Sequence, residues 1–205
     1  MANRGPYAKS AAVRERILTT ALEVIADQGF SGATLQQVAE GVGMSKAGVL
    51  HHVGSREQLF ADVLRRRDAL VEGVGVEGLI GVVRHNASVP GLVALFCALV
   101  GDAAASGAGA AREFAQERYA RLVPLLADRV AEHPDWRGDA ADALVASRVL
   151  VAAADGLQTQ WLLDADVDMA AHLERLWAVL TASSGDCAGP QSPAPGRSGP
   201  VTLGS

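Results

Sequence analysis

The chain has 205 residues, of which 49% are apolar and 4% aromatic, and its net charge is −5. That length buries a substantial core in one domain or two, and the dominance of Ala, Val and Leu favours helix over sheet. Negative charge alone argues against a nucleic-acid partner, and two cysteines, Cys97 in an apolar run and Cys187 in a Gly/Pro/Ser stretch, make no disulfide framework.

The charge is unevenly spread. Residues 1–70 carry nine Lys/Arg against seven Asp/Glu, and residues 71–205 carry nine against sixteen. A mildly basic front therefore sits on an acidic body. No N-terminal signal pattern is visible. The longest uncharged apolar stretch, residues 89–101, is shorter than the ~18 residues a bilayer span needs. The expectation is a soluble, cytoplasmic protein without a membrane partner.

Residues 1–9, with Gly5 and Pro6, form no evident element. From Ser10 to Gln28, Val13, Ile17, Ala21 and Ile25 recur every four residues, as in an amphipathic helix. Gly29 supplies its left-handed stop. Thr34 opens a short helix, with Gln37 at capping-box spacing, Val38 and Val42 on its inner face, and Gly41 and Gly43 at its end. Ser45 caps the next short helix, to about Val53. Ser55 with Gln58 repeats the capping-box spacing and begins a longer helix through Arg67. Its Arg65, Arg66 and Arg67 read as a solvated face.

Further helices are expected at residues 76–87, 91–105, 110–132, 139–163 and 168–181. Pro124 is expected to kink or split the third of these near Val123. Residues 183–205 are rich in Gly, Pro and Ser and read as a disordered tail. There is no repeat and no credible strand ladder, so the fold class is all-α.

The segment 45–53 is the one with chemistry. Nine helical residues span ~13 Å, matching a major groove ~12 Å wide. Val49 and Val53 share one face, so Lys46, Ala47, Leu50 and His51 fall on the other. Small residues admit close approach to bases, Lys46 reaches a phosphate or a guanine edge, and the helix start behind Ser45 offers amides to phosphate.

In this region the chain resembles the TetR/AcrR family of transcriptional regulators. The resemblance is carried in order by Gly29-Phe30, Thr34, Val38-Ala39, Gly43-Met44-Ser45, His51-His52-Val53 and Ser55-Arg56-Glu57. It covers about residues 11–64. It implies an N-terminal three-helix helix-turn-helix domain at 1–55, with the motif at about 34–53. A helical ligand-binding and dimerisation domain follows at 56–182. Thr34, Gln36, Ser45, Lys46, Ala47, Gly48, Leu50, His51 and Arg56 then face DNA, Thr34 mainly as a cap. Leu50 stands where the family usually has a phosphate-binding Tyr, so that contact is lost or passes to His51. Val53 replaces a usual Phe, and Arg56 a usual Lys.

The resemblance also implies pairing of the last two helices with those of a second copy. Val145, Val149, Leu173, Leu176 and Leu180 support this as apolar positions, and Ala152, Ala153 and Gly156 as small ones. Polar groups on an apolar helix need partners. Arg148, Asp155 and Gln158 are therefore either a polar rim or dimer interface or, together with Phe96, Phe114, Tyr119 and Trp161, a pocket for a mostly apolar effector, to which His85 and Asn86 are candidate additions.

Adjacent His51 and His52 point ~100° apart, an awkward pair for one metal ion. His85, His133 and His172 show no ligand spacing. No phosphate loop, nucleophile elbow or paired carboxylates stand out. The reading is a DNA-binding regulator, not an enzyme, without cofactor or metal. It is expected to be a ligand-released repressor on a palindromic, double-stranded operator. The alternative is an all-helical sensor or carrier that does not bind DNA.

Overall fold

The computed structural model describes residues 6–69, 75–106 and 108–183. Among these residues there are nine α-helices and no strand: α1 Pro6–Gly32, α2 Leu35–Val42, α3 Lys46–Val53, α4 Arg56–Ala69, α5 Val76–Asn86, α6 Pro90–Ala105, α7 Ala110–Ala131, α8 Ala140–Leu163 and α9 Met169–Ser183. No single described helix is long and apolar enough to cross a membrane. Cys187 and the expected tail beyond Ser183 lie outside the described residues.

Two elements differ from expectation. α1 begins at Pro6, not Ser10, because proline's missing N–H costs nothing in a first helical turn. Gly29 does interrupt it, but with φ 71° and ψ 166°, after which one more helical turn runs to Gly32. α7 is one continuous helix across Pro124. The carbonyl that Pro124 cannot serve belongs to Ala120, and both residues are exposed, so water can satisfy it.

The apolar core falls into two clusters. The first joins Ile17, Val38, Val49 and Leu59 of α1–α4 to Leu95 and Phe96 of α6 and Phe114 of α7. The second joins Val83 of α5, Leu126 of α7, Leu150 of α8 and Leu173 of α9. The N-terminal helices thus share their core with α6. The joint is close: a Cβ on Gly91 would overlap the Ile25 carbonyl oxygen and lie 3.1 Å from the Gly29 Cα. The start of α6 is seated on α1 at the Gly29 kink.

α4 is tied to its neighbours by charge as well as packing. The run Arg65–Arg67 is not a solvated face, because three consecutive residues on a helix point in three directions. Arg65 bonds Glu117 of α7 at 2.8 Å. Arg66 donates to Thr19 of α1 at 2.8 Å and pairs with Glu15. Arg67, largely covered, pairs with Asp68.

Candidate functional site

α2 and α3 are positioned by local chemistry. Thr34 accepts the Gln37 N–H at 3.3 Å, and the Gln37 side chain accepts the Thr34 N–H at 2.8 Å, a reciprocal cap of the order of 1 kcal/mol. Gly43 ends α2 in the left-handed region (φ 67°, ψ 37°), and Met44 N–H closes the turn on Ala39 O at 2.9 Å. Ser45 Oγ then accepts the Gly48 N–H at 3.1 Å and starts α3. Only Gly43, Met44 and Ser45 separate the two helices, which fixes their crossing. A Cβ on Gly41 would lie 2.6 Å from Thr20 Cγ2, so α2 also lies close on α1.

The eight residues of α3 span about 12 Å. Val49 and Val53 are buried, while Lys46, Ala47 and His51 are exposed and Leu50 and Gly48 are partly covered. Thr34, Gln36, Ser45 and Arg56 are exposed beside them. Lys46 has no ion pair among the described residues. Gln36 is hydrogen-bonded to Glu40, which places a carboxylate on the same side. Arg56 lies over the Phe60 ring, 4.6 Å from its centroid. His52 is half-buried, and its ring meets that of His51 edge-on. Among the described residues, no group of three or more His, Cys, Asp or Glu could hold a metal ion.

Two arginines that sequence reasoning missed hold this unit to α1. Arg14 Nη1 donates to the His52 carbonyl at 2.8 Å, and Nη2 pairs with Asp62 of α4. Arg16 Nη2 donates to the Val42 carbonyl at 3.4 Å. Each places a cation at the C-terminal end of a short helix, where the helix dipole favours it. Nothing in the spacing of α1 distinguishes them from ordinary helix arginines.

The residues proposed from sequence for a ligand pocket do not converge. Asp155 and Gln158 line a cleft between α5, α7 and α8. Tyr119 opens on the neighbouring cleft, and its hydroxyl donates to Asp155 at 2.8 Å. Phe96 and Phe114 are buried in the first core cluster, and Trp161 lies apart near the α8–α9 turn. Asn86 is buried and donates to the Gln158 side chain at 3.0 Å. His85 lines a further cleft, which shares Arg67, Val82 and Asn86 with the first.

Four charged residues of the Asp155 cleft were not assigned to a pocket from sequence: Arg67, Asp68, Arg118 and Arg121. Asp68 bonds the guanidiniums of Arg67 and Arg118. Burial pushes the Asp155 carboxyl above its usual range, against the pull of Arg118 and of the Tyr119 hydrogen bond. Burial lowers Arg67, whereas Arg118, although buried, is raised by Asp68 and Asp155.

Residues 17–63 match the family described as bacterial regulatory proteins, tetR family. Over these residues the chain carries a TetR-family amino-terminal domain. The repressor AcnR of Corynebacterium efficiens is 38% identical over 73 residues, 35% of this chain and 38% of that protein. The chain therefore spans less than half the length of such relatives. The likeness in fold extends further. A TetR regulator from Haloarcula marismortui superposes with a TM-score of 0.66 at 17% identity, covering 85% of this chain and 98% of that one. A transcriptional regulator from Saccharomonospora viridis, solved in complex with choline, gives 0.61 at 23% identity, covering 82% and 96%. These likenesses support the fold: an N-terminal helix-turn-helix followed by a helical body.

Proposed function

We propose that this TetR-family chain is a cytoplasmic transcriptional repressor. It binds a two-fold symmetric operator as a homodimer and leaves it when a small molecule occupies the body. The observation that carries the reading is the division of α3: Val49 and Val53 are in the core, and Lys46, Ala47 and His51 stand free beside the capped start of the helix. Thr34, Gln36, Ser45, Gly48, Leu50 and Arg56 complete the proposed DNA face. Its similarity to the AcnR repressor over 73 residues points the same way.

The proposed unit boundary falls at Ser55, whose Oγ accepts the Gln58 N–H at 3.0 Å and starts α4. α4 is the natural lever, with Arg56 at the DNA-facing end and Arg67 in the cleft at the other.

The dimer surface is an exposed apolar stripe on α8 and α9. Val145 is 63% exposed, Val149 42% and Val179 47%. Leu173, also assigned to that surface from sequence, is fully buried and packs within its own chain. Leu176 and Leu180 are half-covered in the same cluster.

Fluorescence anisotropy with DNA from upstream of the chain's own gene tests the proposal. Sequence-dependent binding, weakened by Lys46→Ala, is expected. The net charge of −5 favours the second reading, a helical carrier, and a protein that binds no DNA sequence selectively would establish that reading instead.

A further inference from the structure

This inference rests on the reading of the body as an effector site and concerns what that effector is. The cleft between α5, α7 and α8 has a charged floor and apolar walls. Arg67, Asp68, Arg118 and Asp155 form the floor. Both guanidiniums lie against the Phe96 ring, at 5.5 and 4.9 Å from its centroid. Asp68 accepts from Arg67 Nη2 at 3.2 Å through one oxygen and pairs with Arg118 Nη1 through the other.

That arrangement leaves two donors, Arg67 Nη1 and Arg118 Nε, buried without an acceptor, and one acceptor, Asp155 Oδ1, buried without a donor. Asp155 does not supply one. Its Oδ2 accepts from Tyr119, and its Oδ1 is 3.7 Å from Arg118 Nη2, beyond hydrogen-bond range. A buried charged donor without an acceptor is costly, and an arginine cannot escape the cost by losing its proton. With two unpaired donors, both cationic, against one unpaired acceptor, the floor calls on balance for an acceptor. The walls beside it, Leu79, Val82, Val83, Leu122 and Leu126, call for hydrocarbon.

We propose that the effector is an amphipathic carboxylate, with its anionic head on Arg67 and Arg118 and its apolar tail between α5 and α7. This changes the sequence-based picture of a mostly apolar ligand. A carboxylate takes two N–H groups from arginine in matching geometry, whereas a cation would meet two guanidiniums. The cleft's free volume is only about 60 Å³, below the range of small-molecule sites. The tail therefore enters by parting α5 from α7. The head meanwhile engages the end of α4, and occupancy is coupled to the helix that reaches the DNA face.

The test is calorimetry and thermal shift on the full chain with octanoate, 1-octanol, octylammonium and choline at one pH and ionic strength. Octanoate is expected to raise Tm and to bind at least about tenfold tighter than the other three. Arg67→Met is expected to abolish that preference. Asp155→Asn, which removes a negative charge from the floor, is expected to strengthen octanoate binding. If Arg67→Met does not fold, Arg67→Lys, which keeps the charge but loses the planar fork, is expected to weaken octanoate selectively. Equal affinity for octanoate and octanol would show a merely apolar cavity and overturn the proposal. So would tighter binding of octylammonium or choline, or no octanoate binding at millimolar concentration. Anisotropy with upstream DNA on the same preparations separates the failures. DNA binding without octanoate preference sinks the carboxylate alone, whereas octanoate preference without DNA binding sinks the regulator reading and upholds the site.

Discussion

Gly91→Ala probes the joint between the DNA-facing helices and the body. A Cβ there would overlap the Ile25 carbonyl oxygen and press on the Gly29 Cα at 3.1 Å. Both obstacles are backbone, so no side-chain rotation relieves them. α6 must lift from α1, which loosens the seating of Leu92 and Leu95 in the first core cluster. Overpacking of this kind costs about 1–3 kcal/mol. For a chain of this size each kcal/mol shifts Tm by roughly 2–4 °C, so a fall of about 2–12 °C is expected. Gly81→Ala in α5 is the matched control, since an added Cβ there meets nothing within 4 Å. Removing a flexible glycine from a helix should raise stability by about 0.4–1 kcal/mol. Differential scanning fluorimetry of the two variants beside the parent reads opposite signs for one chemical change. If Gly91→Ala leaves Tm within about a degree of the parent, the α1–α6 contact is not as close as argued.

Lys46→Ala should weaken operator binding without lowering Tm; a phosphate contact would reduce the salt slope by about one unit, and a guanine contact would cost ~1–3 kcal/mol at one base pair. Unchanged affinity at fixed salt would remove Lys46 from the interface. Gly156→Trp meets no atom of its own chain within 4 Å of the added Cβ, so it should leave the protomer's fold intact and dissociate the proposed dimer. Light scattering showing an intact dimer would move the interface elsewhere. Asp155 carries a folded-state pKa raised chiefly by burial, so its charged form destabilises the fold, and that cost appears as pH rises from about 4 through the raised value. Asp155→Asn should therefore gain Tm relative to the parent at pH 7–8 and lose that advantage near pH 4; a pH-independent difference would contradict the sign.

The parts legible in the sequence were those set by local chemistry. Thr34 with Gln37, Gly43 and Ser45 each act on backbone within five residues, so their roles could be read without a fold. The division of α3 into Val49/Val53 and Lys46/Ala47/His51 followed from helical period alone. The cleft was not legible, because its decisive pair, Asp68 and Arg118, is 50 residues apart in the chain. Arg67 read as one of three solvated arginines, and only the packing of α4 against α6 and α7 turned it inward. Phe96 and Phe114 have the same periodic signature whether they line a pocket or fill a core. Leu173 is ambiguous in the same way: the apolar stripe on α9 that suggests a dimer surface serves its own chain first.

The most direct test of the account is a footprint of the full chain on DNA upstream of its own gene, with the oligomeric state measured on the same sample. A dimer is expected to protect two related half-sites in two-fold symmetry, their centres about 34–36 Å or a multiple of that apart. A monomer at micromolar concentration, or a protected region without two-fold symmetry, would contradict it.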